Sequence, residues 1–125
     1  MVDYPPLQIV VIEPHDSLSI PYCHIPQDHT ITRLQTIQQA VLHLAHNSVS
    51  VIFLSSSFPI TKQLTMLEAI KNSSTSFLIP IIYVVNFNNK ISTIPGSNWG
   101  GKTGVLSSLS TSQELNSILR RVIAV

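Results

Sequence analysis

Gly96-Ser97-Asn98-Trp99-Gly100-Gly101-Lys102-Thr103 matches the phosphate-cradling pattern GxxxxGK[ST] at every fixed position. In such a loop backbone amides surround the phosphates and the lysine, here Lys102, reaches the β and γ oxygens. Gly96, Gly101 and Thr103 would complete the cradle. The setting argues against it. The pattern needs a buried strand before it and a helix after it, whereas Ile91 to Pro95 makes a poor strand and Val105 to Leu109 reads as another strand. Only 22 residues follow Thr103, and neither Val51–Leu54 nor Ile81–Val85 ends in the aspartate that would hold Mg²⁺. A glycine-rich loop before the last strand is the preferred reading. A small-ligand or nucleotide-binding α/β protein that uses loop 96–103 is the alternative.

Other reactive side chains sit closer to the amino end. His15, Cys23, His24, Asp28 and His29 share the segment after the first apolar run, and they include zinc-ligand types. Their spacing is irregular, and adjacent Cys23 and His24 rarely point at one metal, so no metal site is assigned. Ser55, Ser56 and Ser57 end a central run, where α/β folds place active sites. A serine hydrolase needs a GxSxG elbow and a paired histidine. The flanks here are Leu54 and Phe58, so a serine-rich strand end that caps the following helix fits better. Flavin binding would need a phosphate loop after Ile12 that this chain lacks. His43 and His46 lie three apart on a solvent-bordering helix face. Trp99 is the single tryptophan, either an exposed interface anchor or a plug for its loop.

The elements that must position these residues follow from apolar periodicity. Leu7–Ile12, Val49–Leu54 and Leu78–Val85 are nearly continuous apolar runs, with a weaker one at Gly104–Leu109. Runs of that kind suit strands buried on both faces of a parallel sheet. Thr36 with Gln39, and Thr111 with Glu114, are capping boxes that open helices. Ile60, Leu64 and Leu67 mark a third helix, and His29–Gln35 an edge strand. Residues 14–29 hold Pro14, Pro21 and Pro26, and residues 86–103 hold Pro95 and three of the four glycines, so both read as loops. Alternation of buried strands with amphipathic helices predicts a parallel sheet with right-handed crossovers.

Composition narrows the class. The chain has 125 residues, 10% of them charged, against about 25% in ordinary domains. Its polar surface is made instead with 17 serines and 9 threonines. A net charge of +1 without a basic patch argues against nucleic-acid binding. The longest apolar run, Phe77–Val85, contains Pro80 and is about half the length that spans a membrane. Cys23 is the only cysteine, and Asp3 with Pro5-Pro6 is unlike a signal peptide, so a cytoplasmic protein is expected. Residues 1–6 read as a short tail and 7–125 as a single domain.

The order of elements resembles the receiver domain of response regulators, the CheY-like family. IVVIEPHDSL is similar to its first strand and acidic turn, SVIFLSSSFP to its third strand, IPIIYVVN to its fourth, and GGKTGVLSSLSTSQELNSILRRVI to its fifth strand and last helix. The resemblance implies a flavodoxin-like three-layer α/β sandwich with a five-stranded parallel sheet, its first and fourth helices degraded to loops. It also implies a phosphoacceptor pocket, and here that pocket is degenerate. The acidic pair reads Glu13-Pro14, the acceptor aspartate is Ser55, the Ser/Thr position is Val85 and the lysine position is Ser108; Val105 replaces the switch aromatic. One carboxylate with hydroxyls is a poor Mg²⁺ set, and serine cannot form an acyl phosphate. A pseudo-receiver follows: a non-enzymatic protein-interaction module without cofactor or metal, its partner another protein or a second copy, with Trp99 and Val105 as interface residues. Glu13 and Ser55 could alternatively retain a weak anion or metal site. Without a first helix, apolar surface near the C-terminal helix is expected to be underfilled, and a homodimer or other partner would complete it.

Overall fold

Apolar runs become strands and capped amphipathic stretches become helices, in the order in which the chain sets them out. The computed structural model describes residues 6–14, 29–55, 57–73, 79–85, 103–107 and 111–123. The elements are β1 (Gln8–Ile12), β2 (Thr30–Leu34), α1 (Ile37–His46), β3 (Val51–Ser55), α2 (Ile60–Ser73), β4 (Ile81–Val85), β5 (Thr103–Ser107) and α3 (Ser112–Ile123). All strands pair in parallel, in the order β2-β1-β3-β4-β5. This is the flavodoxin-like, CheY-like α/β fold. The segments expected as degraded first and fourth helices lie outside the described residues, apart from their flanks.

Strand limits differ from expectation for local reasons. β4 begins at Ile81 rather than Leu78, because Pro80 has no amide to donate and serves only as acceptor, taking the Ile52 amide on its carbonyl at 3.0 Å. β1 begins one residue late because the Leu7 amide donates to the His29 ring (Nδ1, 2.8 Å) instead of to a strand. The Leu7 carbonyl accepts from Thr30, and the Gln8 amide and carbonyl bond Ser50. These bonds latch the amino ends of β1, β2 and β3 together. The last strand runs Thr103–Ser107, starting one residue earlier than the apolar run suggested, and residues 108–110 lie outside the described residues.

Side-chain alternation divides the interior into two cores. Val10, Ile12, Ile52, Leu54, Ile81 and Tyr83 face α1 and α2, where Ala40, Leu44, Met66 and Ile70 meet them. Ile9, Val11, Val51, Phe53, Ile82 and Val84 face the other way, toward Leu115, Ile118, Leu119 and Val122 of α3. Both predicted capping boxes form: Gln39 N donates to Thr36 Oγ1 and Glu114 N to Thr111 Oγ1, while each N3 side chain takes the cap amide in return. Arg120 and Arg121 lie in the last turn of α3, which suits the negative end of its dipole.

The described apolar side chains of the α3 cluster, from Leu7 to Val122, are buried within one chain.

Close approach of α3 to β5 requires Gly104. A Cβ there would lie 2.7 Å from Ile118 Cδ1 and 2.9 Å from Cγ1. Ala is expected to displace only the end of the Ile118 side chain, whereas Gly104→Val should lift the helix and cost about 1–3 kcal/mol in urea denaturation. Tyr83 offers a second check. Its hydroxyl is buried without a hydrogen-bond partner among the described residues, and burial pushes its pKa up to about 12. Below pH 10 both states keep the proton and stability is intact. Between pH 10 and 12 the unfolded chain loses it first, so stability should fall, by roughly 2–3 kcal/mol in all. Subtracting Tyr83→Phe denaturation curves from wild type should isolate this loss; parallel curves across that window would refute it.

Candidate functional site

Parallel strands deliver their last side chains to one edge of the sheet, and the candidate pocket residues lie there. Register pairs Ile9 with Val51 and Val11 with Phe53, so Glu13 and Ser55, two residues farther along, leave adjacent strands on the α3 side. Both are fully buried. Glu13 extends the β1–β2 ladder by one bond, its amide donating to the Leu34 carbonyl at 3.1 Å. A carboxylate so placed has lost its water and requires a counter-charge.

Arg33 supplies it. Its guanidinium Nη2 donates to Glu13 Oε1 at 2.8 Å, from a side chain still 42% exposed. Arg33 stands opposite Val11 in the β1–β2 register and therefore projects to the same face as Glu13. The pair joins the edge strand to the strand beside it across a sequence distance of 20 residues. A guanidinium, weakly hydrated and rich in donors, suits this half-buried post. Residue reading passed over Arg33 because no local period links it to Glu13. The available signal was geometric: an acid ending a buried strand, and an arginine near the end of the strand expected beside it.

Ser55 turns its hydroxyl into the chain that follows. Its Oγ accepts the Ser57 amide at 3.1 Å. It thus bonds within the turn after β3, while the Lys62 and Gln63 amides, at the start of α2, both return to the Pro59 carbonyl. Gln63, itself buried, donates from Nε2 to the Phe58 carbonyl at 2.8 Å and fixes the loop from within. Pro14, half-buried, follows Glu13 directly. Val85 ends β4 opposite Ser107, and Ser108, the expected lysine position, lies outside the described residues.

The remaining candidates separate from this edge. His29 is buried at the amino end of the sheet, with Nδ1 occupied by the Leu7 amide. His15, Cys23, His24 and Asp28 lie outside the described residues, among which no three His, Cys, Asp or Glu side chains converge. Gly96, Trp99, Gly101 and Lys102 also lie outside them. Thr103 opens a strand, where the phosphate-loop pattern would need a helix. Val105 is 48% exposed on the face opposite α3. Among the described residues, no helix is long and apolar enough to cross a membrane.

Comparison with known proteins shows likeness in structure alone. No family model matches the chain, and no curated protein is similar to it in sequence. The receiver domain of a sensor histidine kinase from Pseudomonas aeruginosa PAO1, solved with magnesium in its active-site cleft, superposes with TM-score 0.72 at 16% identity, over 96% of this chain and 99% of that one. The chemotaxis protein CheY4 of Vibrio cholerae gives 0.70 at 21% identity, over 94% and 98%. The lysine decarboxylase LdcF of Francisella novicida gives 0.68 at 13% identity; 98% of this chain matches, but only 18% of the enzyme. The receiver fold is therefore shared, and the site must speak for itself.

Removing one member of the Glu13–Arg33 pair should expose what it does. Arg33→Met leaves a buried carboxylate without this counter-charge and should cost about 1–3 kcal/mol, less than a fully enclosed pair because Arg33 reaches water. Adding Glu13→Leu to Arg33→Met should restore most of that loss. Additive losses in chemical denaturation would mean that the two groups are not coupled.

Proposed function

We propose that this chain is a receiver-like protein–protein interaction module of signal transduction that works without aspartyl phosphorylation. The observation that carries the reading is the Glu13–Arg33 ion pair. It sets a guanidinium against the one carboxylate that survives at the pocket.

The receiver fold implies Mg²⁺, and the residues present do not fit it. The ion takes several hard oxygens in octahedral geometry and dehydrates reluctantly. Glu13 offers one carboxylate whose Oε1 already holds the Arg33 donor, and its neighbour Ser55 is a neutral, buried hydroxyl engaged with the Ser57 amide. Phosphoryl transfer fails on independent grounds. An acyl phosphate needs a carboxylate nucleophile, and the acceptor position is Ser55. No cation stands at Ser108 to balance the transferred charge, and Val85 provides no hydroxyl. Glu13, Pro14, Ser55, Val85 and Ser108 thus form a degenerate pocket, with no catalytic residue, metal or cofactor assigned.

A module of this kind acts through its surface. Val105, exposed on edge strand β5, borders a groove that Leu106 and Ile118 line with Glu114 and Arg121 at its rim. Apolar contacts with one charge of each sign suit a protein partner, another chain or a second copy, better than nucleic acid or membrane. Trp99 is carried as a further contact. Regulation then comes from binding equilibria rather than from pocket chemistry, and a cytoplasmic setting accords with the single cysteine.

Titration of Mg²⁺ and beryllofluoride into the ¹⁵N-labelled chain tests the central claim. The amides of Glu13, Ser55 and Ser108 should not respond, and Ser55→Asp alone should not make them do so. Saturable shifts clustered at those three residues of the unmodified chain would overturn it.

A further inference from the structure

Next to the degenerate pocket, a groove of about 550 Å³ opens at the carboxyl edge of the sheet, between the start of α1 and the start of α2. Its apolar side is made by Pro14, Phe58 and Pro59; Thr36, Ser57 and Lys62 line the polar side. The volume falls in the range of small-molecule sites, about 300–1,000 Å³. Its position is the crevice beyond the ends of β1 and β3, where the strand order reverses and open α/β sheets take their ligands.

Charge selects the ligand class. Among the described residues, Lys62 is the sole ionisable side chain lining the groove; it is exposed, and its Nζ stands 5.7 Å from the centroid of the Phe58 ring. That contact holds the ammonium above the apolar side. Glu13, the carboxylate at this edge, is matched by Arg33, and neither α1 nor α2 has an acidic residue in its first turn. Thr36 and Gln39 occupy the cap of α1, so a ligand's charge is met from the α2 side. Phe58 is fixed in place, because its carbonyl is held by the buried Gln63 side chain.

We infer that this groove binds a small organic anion, a carboxylate or phosphate joined to a flat apolar body. The anionic head pairs with the Lys62 ammonium, and the body lies against Phe58, Pro59 and Pro14. The site goes beyond the interaction-module reading and does not rest on it. A ligand here touches the loop after β3 and the start of α2 and needs neither metal nor phosphoryl transfer.

Phenyl phosphate is the probe, titrated into the ¹⁵N-labelled full chain with inorganic phosphate and benzyl alcohol as head-only and body-only controls. Saturable shifts are expected at Ser57, Phe58 and Ile60 to Gln63, with dissociation constants of about 1–10 mM. Each control should bind more weakly, and Lys62→Gln, a surface change that spares the core, should weaken phenyl phosphate about five- to tenfold. No saturation by about 20 mM would overturn the inference, as would an unchanged constant in Lys62→Gln. Inorganic phosphate binding as tightly as phenyl phosphate would reduce the site to a plain anion patch and would also overturn it. Failure here leaves the beryllofluoride result untouched, because the two titrations read different amides.

Discussion

Burial of β1, β3 and β4 on both faces governs this molecule. Successive residues of one strand enter different cores, so Ile52 joins α1 and α2 while Val51 and Phe53 join α3. A shift of one residue in register would exchange the two sets and break both cores at once. The parallel order, the helices on opposite faces and the alignment of strand ends all follow from that constraint. It also fixes where chemistry can occur, since polar groups are tolerated only where the strands run out.

At that edge the chain has settled its electrostatics internally. A buried carboxylate can be matched by a metal, a proton or a neighbouring cation, and here an arginine on the next strand does it. The pair ties the ends of two neighbouring strands together. The nearby groove favours an anion, because Lys62 is the one charge facing it among the described residues. A neutral ion pair and a groove with an uncompensated ammonium thus share one sheet edge.

Much of the fold was legible in the sequence for reasons of strong local grammar. Capping boxes at Thr36 and Thr111 name their own partners three residues on, and both form as read. Buried runs declare parallel strands because no residue need face water. The ends were less legible: Pro80 and His29 shift strand limits through bonds that apolarity does not encode. Glu13 and Ser55 were singled out through the resemblance to receiver domains, and the register sets them at the ends of neighbouring strands. Arg33 and the Lys62 groove were not found, since each depends on residues from two or more elements.

Gly104 and Val105 are consecutive residues facing opposite sides of an edge strand. The first is in contact range of α3, and the second is open to solvent. A bulkier residue at position 104 and a partner contact at Val105 would therefore press on the same edge strand from its two faces, with the β4 hydrogen bonds holding it from the side.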